Sequence, residues 1–213
     1  PNVDCKSVTL RNATLRHTRT ASNGDQVITE LANVNLAIKN LKNGGNGTLT
    51  LSAALAMEKI TSQPPVKENL PAMLTADLAF GLHDNLQLAS VKGLASFSIG
   101  RATGQFSELA GLIAKLDCEM SPNEIKQFAL HFNKGNAALG RVTITGPFDT
   151  TKSEGKLKLE VSAIDRQVLN LLGASRGIDF GTTTINGSTD ITIAKAGRMI
   201  SPVGRLDVAR LQI

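Results

Sequence analysis

The residues of this chain that could do chemistry are few and poorly spaced for it. Nucleophilic catalysis needs a Ser or Cys beside a base. No G-x-S-x-G elbow occurs, and His17, His83 and His131 lie far apart and share no motif. The run Gly135-Asn136-Ala137-Ala138-Leu139-Gly140-Arg141-Val142 echoes a phosphate loop, but Arg141 stands where Lys is required and Val142 where a metal-binding hydroxyl belongs. It reads as a turn into a strand. Acidic residues are scattered and form no calcium loop. Only Glu160, Asp165, Asp179 and Asp190, by converging in space, offer a route to paired-carboxylate chemistry. Cys5 and Cys118 make no C-x-x-C, so a zinc or thioredoxin-like site has no support. They leave two readings open, one long-range disulfide in an oxidising compartment or two free buried thiols. Asn12-Ala13-Thr14, Asn46-Gly47-Thr48 and Asn186-Gly187-Ser188 fit glycosylation sequons, but such triplets arise easily in an Asn- and Thr-rich chain. The expectation is a non-catalytic protein with no catalytic residue, no metal ligand and no cofactor.

Composition narrows the partners. The chain has 213 residues with no Trp, no Tyr and seven Phe, so stacking on bases or sugars has few residues to work with. The net charge of +5 comes from 23 basic and 18 acidic residues without a block of like charges, and no nucleic-acid partner is expected. The densest basic stretch is Lys6, Arg11, Arg16 and Arg19, which either faces anionic lipid or is a solvated strand face. No signal peptide and no long apolar run is visible, and Pro1 in place of Met reads as the start of an excised segment. Any membrane anchor would lie upstream.

The elements that must carry these residues are mostly strands. Leu49, Leu51, Ala53, Leu55 and Met57 fall on every second position, as do Leu74, Ala76, Leu78, Phe80 and Leu82, and again Val34, Leu36 and Ile38. A period of two puts one set of side chains on one face of a sheet. Further strands are expected near 7–17, 86–99, 138–146, 155–163, 178–186, 188–195 and 203–213. Asn43-Gly44-Gly45-Asn46-Gly47 reads as a hairpin turn. Ser62-Gln63-Pro64-Pro65 opens a polar connection of about ten residues. The chain therefore reads as one β-rich domain over 1–213, with a possible joint at 58–72 between the N-terminal strands (1–57) and a repeat-bearing part (73–213).

Two segments break the period. Ser121-Pro122-Asn123-Glu124 has the form of a helix start, and Ile125, Phe128, Ala129 and Phe132 then share a helical face. Asp165 caps a second turn carrying Val168, Leu171 and Leu172 and ending at Gly173. Helices are expected at 121–133 and 165–172, packed on a twisted antiparallel sheet that is either an open groove or a sandwich. Aligning Leu116 with Leu159 suggests a strand-then-helix unit used twice. A second theme, a strand with a small-residue interruption, recurs at 10–15, 91–97 and 185–191, where bulges are expected.

The run Val8-Thr9-Leu10-Arg11-Asn12-Ala13-Thr14-Leu15, followed by Leu31-Ala32-Asn33-Val34-Asn35-Leu36-Ala37-Ile38, resembles the bacterial AsmA-like family. So do Leu157 to Asp165 with the leucine-rich turn to Leu172, and the strand pair from Thr184 to Ile193. The resemblance implies a periplasmic domain tethered to the inner membrane through an anchor outside this sequence. It implies a role in outer-membrane biogenesis, as part of a β-groove that carries phospholipid acyl chains. The apolar strand positions Leu74, Leu78, Phe80, Val91 and Phe97 are then expected to face lipid, with Arg11 and Arg16 at the rim. A different class stays open beside it, a structural or protein-interaction β-sandwich of a cell-surface protein. Alternation alone fits a closed core as well as a groove.

Overall fold

The period of two is realised as eleven strands in one sheet. The computed structural model describes residues 2–62, 64–173 and 178–210. Pro1, Gln63 and the tail 211–213 of the last expected strand lie outside the described residues. The strands are β1 (Asp4–Thr20), β2 (Gln26–Lys42), β3 (Asn46–Ser62), β4 (Pro65–Leu82), β5 (Leu88–Ile99) and β6 (Leu112–Ser121). They continue as β7 (Glu124–Lys134), β8 (Ala137–Asp149), β9 (Glu154–Ile164), β10 (Thr184–Ala194) and β11 (Met199–Ala209). Every neighbour in sequence is an antiparallel neighbour in space, and β1 and β11 are the edges of an open sheet. No second sheet is formed among the described residues, so the sandwich form of the expectation gives way to the open one. A 3-10 helix at Gly104–Leu109 and an α-helix α1 at Arg166–Gly173 interrupt the meander.

Helix α1 begins as its sequence requires. The Asp165 carboxylate accepts the N–H groups of Gln167 at 2.9 Å and Val168 at 3.3 Å, satisfying donors that an uncapped helix start leaves open. The helix expected at 121–133 is instead a hairpin. Ser121 pairs with Glu124 around a turn at Pro122 and Asn123, and β7 runs on from there. A bulge explains the misreading. The register slips between Ile125 and Phe128, so the apolar residues fall at 125, 128, 130 and 132. One extra residue in a strand thus imitates a helical spacing. The suspected strand-then-helix repeat fails with it, because only the second copy is followed by a helix. The expected pair at 178–186 and 188–195 is the single strand β10.

Within the polar stretch, 58–62 belong to β3 and 65–72 to β4, with Ser62 opposite Pro65 and the ladder running from there to Asn46 opposite Gly81. A bulge occurs at one of the three expected places, 10–15, while at 185–191 the extra residue lies on the partner strand β9. Asn12 takes a left-handed φ of 49° where β1 slips against β2, and Ala163 takes 51° where β9 slips against β10. In both, an asparagine from the neighbouring strand accepts the N–H of the left-handed residue. Asn35 Oδ1 takes that of Asn12 at 3.2 Å, and Asn186 Oδ1 takes that of Ala163 at 2.7 Å. The register does not slip within 91–97. There Gly93, with φ 151°, lets the backbone approach the Asp77 carbonyl, which a Cβ would strike.

Candidate functional site: an apolar trough

Carrying the period of two through the registers assigns each residue to a face. One row crosses the whole sheet: Leu10, Leu36, Leu51, Ala76, Ala95, Leu116, Leu130, Val142, Val161, Gly187 and Leu206 stand opposite one another in turn. It contains no polar side chain. The row beside it begins Val8, Ile38, Leu49, Leu78, Gly93 and Cys118, continues through Phe128, Ile144 and Leu159, and meets its first polar residue at Thr189. Eleven strands about 4.8 Å apart make an apolar strip roughly 50 Å long. The opposite face carries Ser52, Thr75, Ser96, Lys115, His131, Arg141 and Ser162 in one row.

The sheet is curled around its apolar face. His83 follows β4 and Thr150 follows β8, four strands on, which is roughly 19 Å in a flat sheet. Yet His83 Nε2 and Thr150 Oγ1 are 2.9 Å apart. Thr150 is buried and also donates to the Pro122 carbonyl at 3.1 Å. The hairpin ends of β4, β6 and β8 are therefore drawn together along one rim.

The opposite rim holds the core. Phe106 and Leu109 of the 3-10 helix and Val168 of α1 pack over Leu70, Ala72, Ile99, Leu112, Phe132, Leu139 and Ile164. Arg166 reaches Glu108 at 3.4 Å and Lys134 Nζ donates to the Glu108 carbonyl at 2.7 Å, tying the two helices and β7 together. The 3-10 helix was missed in the sequence. Phe106 and Leu109 at a spacing of three were its only signal, and that spacing is too short to assert a period.

Away from that rim the trough is not covered. The chain exposes 12826 Å², where a compact monomer of 22.5 kDa would expose about 9,500 Å². The sequence-predicted residues Leu74, Leu78, Phe80, Val91 and Phe97 all lie on the apolar face of β4 and β5. Leu74 stands opposite Phe97, Phe80 opposite Val91 and Leu78 opposite Gly93. All five are half-buried. At the free edges the same face is more open, with Leu15 70% exposed on β1 and Leu206 59% on β11.

One expectation is corrected and two open readings are narrowed. Arg11 and Arg16 do not border the trough. Arg11 alternates with Leu10 onto the polar face, and Arg16 pairs there with Glu30 at 3.9 Å. Cys5 and Cys118 form no disulfide. Both are free, on β1 and β6, and Cys5 points to the polar face while Cys118 lies in the trough. Burial pushes the Cys118 thiol above its ordinary pKa, the neighbouring Asp117 charge adding to it. The four acidic residues do not gather at one place. Asp165 caps α1, and Asp179 is hydrogen-bonded to Asn170 at 2.8 Å. Glu160 and Asp190 flank Lys158, whose ammonium lies 2.7 Å from Glu160. The hydrogen bond from Lys158 holds the Glu160 carboxyl below its usual range, the opposite of what a general acid needs.

Among the described residues no group of three His, Cys, Asp or Glu could hold a metal ion. No described helix is long and apolar enough to cross a membrane. Comparison with family models, with curated proteins and with solved structures yields no match. The function must be argued from the trough itself.

Proposed function

We propose that this chain is a non-catalytic, AsmA-like periplasmic domain whose trough carries phospholipid acyl chains between membranes of the cell envelope. It is tethered to the inner membrane through a segment outside this sequence. The observation that carries the reading is the row from Leu10 to Leu206, apolar across every strand and without a facing sheet among the described residues. Uncovered apolar area on this scale marks a binding surface in a soluble protein. Acyl chains are an apt occupant, since each CH₂ moved from water into such a strip contributes about 0.8 kcal/mol. The strip is smooth in chemistry along its length, so it offers no point at which a chain would be fixed. The bulges at Asn12 and Ala163 support the same reading. They sit in two of the segments that resemble the family, and bulges curve a sheet. The test is transfer of a labelled phospholipid from donor to acceptor vesicles. The domain should accelerate it, and Leu78→Asp, with its fold verified by circular dichroism, should slow it. Wild-type protein without any effect on transfer, and free of co-purifying phospholipid, would remove the reading.

A further inference from the structure

The polar face carries a row of three basic side chains. Lys115 on β6 stands directly opposite His131 on β7, and His131 directly opposite Arg141 on β8. Side chains directly opposite one another have Cβ atoms about 5 Å apart, so the imidazole lies between two cations roughly 10 Å apart. None of the three makes an ion pair with a described residue, while the same face pairs Lys92 and Lys126 with Glu119 and Lys158 with Glu160. Two carboxylates near the row are already engaged. Asp117, one step along β6, accepts from Gln127 Nε2 at 2.8 Å, and Glu160 takes Lys158 at 2.7 Å, the Arg141 charge also helping to keep it ionised. Hydroxyls extend the row at both ends, Ser96 and Thr75 beyond Lys115 and Ser162 beyond Arg141. At the Lys115 end Thr75, Asp77, Leu94 and Ser96 line a shallow hollow of about 370 Å³.

We propose that the row Lys115–His131–Arg141 is a binding site for a phosphate group on the face opposite the trough. Two fixed cations and an imidazole in line, bordered by hydroxyl donors, match the oxygens of a phosphate, and charge-assisted hydrogen bonds to it are the strong kind. The anion bridges the two cations of the row. The site is independent of the lipid reading, because it lies on the other side of the sheet. The shared chemistry is the phosphate, whether as a soluble phosphate or as a lipid headgroup.

The experiment follows the side-chain NMR signals of the histidines during titration with inorganic phosphate. His131 should move saturably, and His17, on β1, should not. Arg141→Gln should weaken binding about tenfold, and Lys115→Gln with Arg141→Gln should abolish it. Lys92→Gln, which removes a paired cation of the same face while Glu119 stays held by Lys126, should leave it unchanged. A second arm measures flotation with vesicles of phosphatidylcholine, with and without phosphatidic acid. A response to inorganic phosphate assigns the site to soluble phosphates. A response to phosphatidic acid alone, lost in the double variant, assigns it to headgroups. The proposal is overturned if His131 moves no more than His17 and the double variant floats like wild type.

Discussion

The core of this protein is predicted to sit at one rim of the sheet and not along the trough, and two leucines separate these possibilities. Leu109 is 2% exposed, enclosed by the cluster around the 3-10 helix and α1. Leu109→Ala removes three buried carbons and leaves a cavity that β4 to β9 cannot close, a change that costs about 3 kcal/mol. Leu78 is half-buried, with Leu49 and Gly93 beside it in the sheet and no facing sheet above it among the described residues. Leu78→Ala removes the same atoms from a surface already partly in water, so only part of their transfer energy is lost and no enclosed cavity forms. The expected cost is about 1 kcal/mol. The difference of about 2 kcal/mol is roughly thirtyfold in the unfolding constant. Urea unfolding followed by far-ultraviolet circular dichroism reads it, since a chain without Trp or Tyr lacks the usual fluorescence probes. Saturating phospholipid should widen the loss at position 78, because the ligand binds only the folded trough and Leu78 contributes to its affinity. Equal losses at both positions in lipid-free protein would mean that the trough is packed like a core, and the argument from an uncovered face would fail.

Other outcomes follow from particular contacts. Asn186→Ala leaves the Ala163 N–H without its acceptor and should lower stability by about 1 kcal/mol; Asn35→Ala, whose bond to Asn12 is longer, should cost less, and denaturant midpoints of both variants check the order. Hydrogen bonds hold several carboxyls below their ordinary range, that of Asp25 chiefly through the Ser62 N–H, that of Glu119 through Lys92 and Lys126, and that of Asp149 through the Lys152 N–H. A folded pKa below the unfolded one gives stability that is present above roughly pH 4 and is lost as pH falls through the folded values. Lys92 and Lys158 are raised by Glu119 and Glu160, so their share is present below about pH 10.5 and is lost above it. The thermal midpoint should therefore stay level from about pH 5 to about pH 8, above which ionisation of the unfolded chain's Cys118 thiol, raised by burial in the fold, begins to lower it; a decline from neutrality to pH 5 would contradict the assignment. Cys5 should react readily with a thiol reagent and Cys118 slowly until the chain unfolds, because a buried thiol with a raised pKa supplies little thiolate; equal rates would refute the placement of Cys118 inside the trough.

Much of the fold was legible because alternation is a local signal. Leu49 to Met57 and Leu74 to Leu82 announce both a strand and its apolar face, and the cap at Asp165 announces α1. The failures share one physical origin. At Ile125 and Phe128 a bulge shifts the phase of the alternation by one residue, and a preceding Ser-Pro-Asn-Glu turn carries the same residues as a helix cap. Bulges depend on the partner strand, which one chain segment does not contain. The five trough residues could be named in advance because each lies on a regular stretch of β4 or β5. The face of Arg11 and Arg16 could not, because the bulge at Asn12 lies between them. The row of Lys115, His131 and Arg141 left no mark in the sequence at all, since its members come from three strands and meet only through the register.

The central claim is that acyl chains lie on one face of this sheet, and site-specific photocrosslinking tests it most directly. A photoreactive residue placed at 78 or 97 looks into the trough, and one placed at 48 or 79 looks out from the polar face, away from Lys115. Irradiated with phospholipid vesicles, then analysed by mass spectrometry, positions 78 and 97 should carry covalently attached lipid and positions 48 and 79 should not. Lipid attached equally to both faces, or to neither, would contradict the account.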